Sequence, residues 1–229
     1  LLSQVLLLDK KEVESESALL SAASINSELP SVYRNQARLL LKQSKPAEAL
    51  EKAKLAYEQS PENVENLLVL AACFRSNQRD SEALPIIERI LKAKPNYAEA
   101  YANRALVRLR ANDRTGAIKD GEMTVSLKPH FGDMWSLLGS LYYQCEDITK
   151  AIDSFKNAHK NEPQNVSFLV NLGNLLRQGN KVSEAIPILK RATELAPKDL
   201  NAIGVLFGGR VLDNSNPKYI NSPESNFFK

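Results

Sequence analysis

Five prolines, Pro61, Pro95, Pro129, Pro163 and Pro197, recur 34 residues apart without a slip. A fixed period of that length marks a chain built from like units stacked in a line, each unable to bury its apolar face alone. Counting back from each proline gives units at 30–63, 64–97, 98–131, 132–165 and 166–199. A small residue holds one phase in all of them: Ala49, Ala83, Ala117, Ala151 and Ala185. An aliphatic residue follows it each time, as Leu50, Leu84, Ile118, Ile152 and Ile186. The tenth place of each unit is apolar too: Leu39, Cys73, Val107, Leu141 and Leu175. Five units in register without an insertion leave little room for any other architecture.

Unit 132–165 shows why the period produces helices. Trp135, Leu138 and Tyr142 lie three or four residues apart and fall on one face of a helix. Ala151, Phe155 and Ala158 do the same on a second helix. Gly139 and Ala151 are small enough for the two backbones to approach, and Phe155 fills the space between them. Pro163 stops the second helix. The pattern W-x2-L-G-x2-Y followed by A-x3-F-x2-A-x4-P resembles the tetratricopeptide repeat, two antiparallel helices per unit. The resemblance implies an all-α fold, a right-handed α-solenoid of helix-turn-helix repeats. Pro85 and Pro187 share one place near the start of their second helices, where a first-turn proline is tolerated.

The ends fit this frame less closely. Residues 1–29 read as a partial N-terminal repeat, out of phase because Ser27 stands where the proline would fall. Residues 200–212 read as a C-terminal capping helix that closes the apolar face of the last unit. Residues 213–229, rich in Asn, Ser and Pro, read as a linker or disordered tail. The start, LLSQVLLLDKKE, carries neither a basic leader nor a Met and reads as part of something longer.

Chemistry-bearing groups are sparse. The formal net charge of +3 is too mild to imply nucleic acid or a membrane surface as partner. No apolar run approaches the roughly 20 residues of a membrane helix. Cys73 and Cys145 form no C-x-x-C pair and are expected as free thiols, which favours a reducing, cytoplasmic setting. Cys73 falls in the tenth-place row and is expected in the core. His130 and His159 stand far apart without a metal-ligand spacing, and no base neighbours a nucleophile. No glycine-rich phosphate loop occurs. The chain is therefore expected to be no enzyme, with no cofactor, no metal and no small-molecule substrate. The triplet Asn165-Val166-Ser167 fits a glycosylation acceptor but opens a helix.

What remains is surface. In tetratricopeptide proteins the first helices line a concave groove, and helical spacing then puts places 2, 5, 6, 9, 12 and 13 on its wall. Place 6 carries Asn35, Asn103 and Asn171 in alternate units. A carboxamide both donates to and accepts from peptide groups, so such a row suits an extended chain of any sequence. It resembles, in sparser form, the asparagine ladder of the O-linked N-acetylglucosamine transferases. Arg34, Arg38, Arg75, Arg110 and Arg177, with Lys42, make the wall basic, while Glu65, Glu99 and Asp133 at place 2 form an acidic lip.

Unit 98–131 also resembles the chaperone-binding repeats of the heat-shock-organising co-chaperones, through N-R-A, A-x-x-D-G, T-V-x-L-K-P and Phe131-Gly132. Those domains grip a C-terminal carboxylate with Asn and Lys or Arg side chains. Carried over position by position, Asn103 alone survives. Leu68 and Ala72 replace the preceding Lys and Asn, and Asp133 and Leu137 replace the following Lys and Arg. A carboxylate clamp is thereby excluded. The expected function is a protein-interaction scaffold that binds an extended, acidic peptide. Its alternative is the substrate-recruiting arm of a larger enzyme, such as a glycosyltransferase. One pairing is expected inside a unit: Arg104, at an otherwise apolar place, with Asp120 on the partner helix.

Overall fold

The computed structural model describes residues 29–198, which form ten α-helices and no strand. In order they are α1 (Pro30–Lys42), α2 (Pro46–Gln59), α3 (Val64–Ser76), α4 (Asp80–Ala93), α5 (Ala98–Arg110), α6 (Arg114–Leu127), α7 (Gly132–Gln144), α8 (Ile148–Asn161), α9 (Val166–Gln178) and α10 (Val182–Leu195). The expectations for residues 1–28, the capping helix 200–212 and the tail 213–229 lie outside the described residues. The described chain divides into two compact units, ending and beginning at Pro95 and Asn96. In the first, α1 pairs with α2 and α3 with α4, and α3 packs on both α1 and α2. In the second, the hairpins are α5–α6, α7–α8 and α9–α10, with α6 against α7 and α8 against α9.

The ends of the helices are set by local chemistry. Pro30 and Pro46 open α1 and α2, where a missing amide hydrogen costs nothing. Side chains of Asn63, Asp113, Asp147 and Asn165 accept from first-turn amides of α3, α6, α8 and α9. Each hairpin turn places one residue in the left-handed region: Ser44, Gln78, Asn112, Glu146 and Asn180, all with φ between 59° and 61°. The amide of the following residue reaches back over the turn, as Asp147 N–H does to Tyr142 O at 2.9 Å. This fifth in-phase row, again at a 34-residue interval, turns every first helix into its partner.

Packing follows the small-residue rows. Ala49, Ala83, Ala117, Ala151 and Ala185 are all fully buried. A Cβ on Gly139 would lie 2.6 Å from the Phe155 ring, and one on Gly173 would lie 2.4 Å from Leu189. These positions bring α7 onto α8 and α9 onto α10. Cys73 is buried as expected, and burial pushes its thiol up to about 12, against the pull of Arg75. Cys145 is exposed.

The two in-phase prolines differ from expectation. Pro85 and Pro187 sit inside α4 and α10, each the sixth helical residue rather than a first-turn one. Each removes the amide that would bond the carbonyl four residues earlier, at Ser81 and Ser183. All four residues are exposed, so water can take the place of the lost donor.

Candidate functional site

The wall residues fall in both compact units, and each unit is treated by itself. In the first, Arg34, Asn35 and Arg38 lie on α1, half-buried or exposed. Arg34 Nη1 donates to Asn66 Oδ1 of α3 at 3.1 Å, and Arg38 Nη2 meets Glu65 Oε2 at 2.7 Å. Asn66 is buried and donates onward to the carbonyls of Ala56, at 2.8 Å, and Ser60, at 3.3 Å. Two of the basic wall residues are thus tied to the next repeat. Asn35 makes no hydrogen bond among the described residues.

Arg75 departs from its expected place on an open wall. It is 5% exposed, and Leu68, Val69 and Ala72 beside it on α3 are also buried. Helical spacing identifies a face; it does not tell how closely the neighbouring side chains close over it.

In the second unit the wall is apolar toward α5 and α7 and polar on α9. Ala102 and Leu106 of α5 and Leu137 of α7 are buried in the core cluster. Asn103 is half-buried and donates its Nδ2 to Glu99 O of its own helix at 2.8 Å. Arg110 and Arg177 are half-buried at the C-terminal turns of α5 and α9. Asn171, on α9, lines an open pocket with Tyr143, Phe155, Asn174, Leu175 and Gln178. Of the eight wall residues expected from sequence, this unit gathers Asn103, Arg110, Asn171 and Arg177. Leu137, between the two asparagines in the place-6 row, interrupts the carboxamide row.

The acidic lip is largely neutralised. Glu65 is held by Arg38, and Glu99 Oε1 meets Lys128 Nζ at 2.8 Å. Asp133 behaves differently: burial first, and the Glu162 carboxylate second, raise its pKa from 3.8 to about 6. The histidines supply no site. His130 Nδ1 lies 3.3 Å from Asn161 Oδ1, and burial lowers the pKa of His159. No group of three potential metal ligands occurs among the described residues. Asn165 is occupied in capping, accepting from Phe168 N–H at 3.4 Å while its amide donates to Glu162 Oε2 at 3.0 Å.

Sequence reasoning missed the Asn66 relay and the carboxamides Asn174 and Gln178. The signal for Asn66 was present, since it is the one polar residue in the row Val32, Asn66, Ala100, Met134 and Phe168. The expected Arg104–Asp120 pair is formed, at 2.7 Å.

These features define a helix-turn-helix repeat scaffold with a polar run on α9. A profile of the tetratricopeptide repeat family matches residues 40–107 and 144–204, more than half of the chain, and the chain belongs to that family. Hsp70-Hsp90 organizing protein 3 of Arabidopsis thaliana is 28% identical over 96 residues, 42% of this chain and 17% of that protein. Signal recognition particle subunit SRP72 of Homo sapiens is 25% identical over 201 residues, 84% of this chain and 28% of that one. The chain thus spans under a third of the length of either relative. Among solved structures, a double mutant of MamA RS-1 superposes with a TM-score of 0.59 at 22% identity, covering 72% of this chain and 93% of that one. YrrB, a tetratricopeptide repeat protein with an unusual peptide-binding site, gives 0.56 at 18% identity, covering 81% and 96%. No helix among the described residues is long and apolar enough to cross a membrane.

Proposed function

We propose that the chain is a non-catalytic protein-interaction scaffold that binds an extended, acidic peptide segment along its first helices. The observation that carries this reading is the polar run on α9, where Asn171, Asn174, Arg177 and Gln178 follow one another with no carboxylate among them. Carboxamides read peptide groups of any sequence, and arginines add a preference for acidic or phosphorylated side chains. The peptide-binding site reported for YrrB supports the same use of this fold. Membership of the family adds an interaction role without naming a partner.

The arginines do not contribute equally. A ligand carboxylate must displace Glu65 to reach Arg38, and Arg75 is too buried to meet it. Arg110 and Arg177, half-buried at the C-terminal turns of α5 and α9, are the pair to test. Titration of the full chain with a dye-labelled, glutamate-rich peptide tests the reading. Affinity should fall as salt rises from 0.1 M to 1 M, because the screening length drops from about 10 Å to about 3 Å. Arg110→Ala with Arg177→Ala should flatten that dependence. Affinity that is indifferent to both salt and the double substitution would rule out the acidic-peptide reading.

A further inference from the structure

Beside the carboxamides of α9, the second unit has a pocket with an apolar floor that the acidic-peptide reading does not use. Its floor is Phe155 of α8 and Leu175 of α9, both buried, and one wall is the half-buried ring of Tyr143 from α7. The opposite rim is Asn171, Asn174 and Gln178, spaced three and four residues apart on a single face of α9. No charged residue lines it, and it is a shallow depression open to solvent.

Two further observations point to a ligand. Five other asparagines, Asn66, Asn77, Asn103, Asn157 and Asn161, donate their amides to backbone carbonyls. Asn171, Asn174 and Gln178 make no such bond among the described residues, so their carboxamides face the opening with donors and acceptors uncommitted. Their spacing also matches an extended chain. Residues four apart on a helix rise about 6 Å, and peptide groups two residues apart in an extended strand are about 6.6 Å apart. Asn174 and Gln178 can therefore meet alternate peptide groups of one strand lying along α9. The intervening side chain would then point between Tyr143 and the Phe155–Leu175 floor.

We propose that this pocket is a subsite for one neutral, apolar side chain of a partner protein's extended segment, with Asn174 and Gln178 bonding the peptide groups on either side. The proposal rests on the peptide-binding reading above and refines it: acidic residues of the ligand are met elsewhere, and a charge is rejected here. A carboxylate in the pocket would lose its water and find only carboxamides and rings in exchange.

The test follows the side-chain amide signals of isotope-labelled full chain during titration with two blocked peptides, Gly-Ser-Leu-Ser-Gly and the same peptide with Asp for Leu. The leucine peptide should shift the Asn174 and Gln178 signals saturably, leave those of Asn35 unmoved, and bind at least about tenfold tighter than the aspartate peptide. Tyr143→Ser should abolish the difference and Tyr143→Phe should keep it, with thermal unfolding confirming that both variants fold. Equal response to the two peptides, or selectivity that survives Tyr143→Ser, overturns the subsite. So does the absence of any shift, whether nothing binds or the chain's own residues fill the pocket. If the glutamate-rich peptide still binds in a salt-dependent way, the subsite alone has failed; if it binds nowhere, the peptide-binding reading has failed with it.

Discussion

Arg104 holds Asp120 in a two-pronged ion pair: Nε donates to Oδ2 at 2.8 Å and Nη2 to Oδ1 at 2.7 Å. The carboxylate is 3% exposed and sits between α5 and α6. Arg108 joins it, with Nη1 at 2.9 Å from Oδ2 and at 3.3 Å from Gly116 O. These two arginines occupy the places that Leu138 and Tyr142 fill in the next repeat, and Gly121 stands where that repeat has Phe155. A Cβ on Gly121 would lie 2.8 Å from Leu138, so a side chain of the following repeat takes up the space. One repeat has exchanged an aromatic core for an ionic one.

Asp120→Asn should therefore be severely destabilising. It would leave two guanidinium groups in a half-buried site without their counter-charge, and breaking such a pair by removing one partner costs about 3–5 kcal/mol. Arg104→Met combined with Asp120→Leu should cost less, because only the Arg108 guanidinium then loses the carboxylate, and it keeps Gly116 O at 3.3 Å and Asp113 Oδ2 at 3.8 Å as partners. Urea midpoints of the wild type and the two variants check the order. A double variant as unstable as Asp120→Asn would show that the ionic contacts are not what matters.

The alanine row and the prolines were legible in the sequence because backbone approach and chain termination admit few residues. Arg104 and Asp120 were legible because both break an apolar pattern on facing helices. Arg108 breaks it too, at the place of Tyr142, and could have been found the same way. The left-handed row was hidden: Ser44, Gln78, Asn112, Glu146 and Asn180 share a backbone conformation and no side-chain chemistry. Arg75 was misplaced because helical phase gives direction without distance. The Asn66 relay depends on carbonyls of the preceding repeat, which no spacing rule locates.

Gly139→Ala should lower stability by about 1–3 kcal/mol, because the new methyl would overlap the Phe155 ring in a filled core. Phe155→Leu in the same chain should recover part of that loss. The two sites touch, so their effects should not add. Thermal unfolding of the four combinations measures the coupling. Additive losses would place the strain elsewhere.

Glu146→Asn should raise stability, by less than about 1 kcal/mol. Glu146 is exposed at φ 61°, a region that costs most L-residues about 1–2 kcal/mol and that asparagine adopts more readily. The reverse change, Asn112→Gln, should lower stability by a similar amount. Unfolding midpoints that move the same way in both variants would contradict this account of the turn.

Asp133 supplies a pH dependence whose sign is opposite to that of an ordinary surface carboxylate. It lies in the first turn of α7, where the helix terminus favours a negative charge, yet burial and then Glu162 raise its pKa from 3.8 to about 6. The folded state thus holds this proton more tightly than the unfolded state does. Between those two values the native chain binds more protons, so this residue's contribution to stability falls as pH rises and stays low above about 6. Asp133→Asn removes the titration. The variant should match the wild type below 3.8 and become progressively more stable than it up to about 6, with the advantage constant at higher pH. Glu162→Gln should reproduce a smaller part of the same effect, since Glu162 is the lesser cause. Taking the difference between variant and wild type at each pH cancels the other carboxylates. A difference in urea midpoint that is flat across this window would mean that Asp133 is solvated in the folded chain.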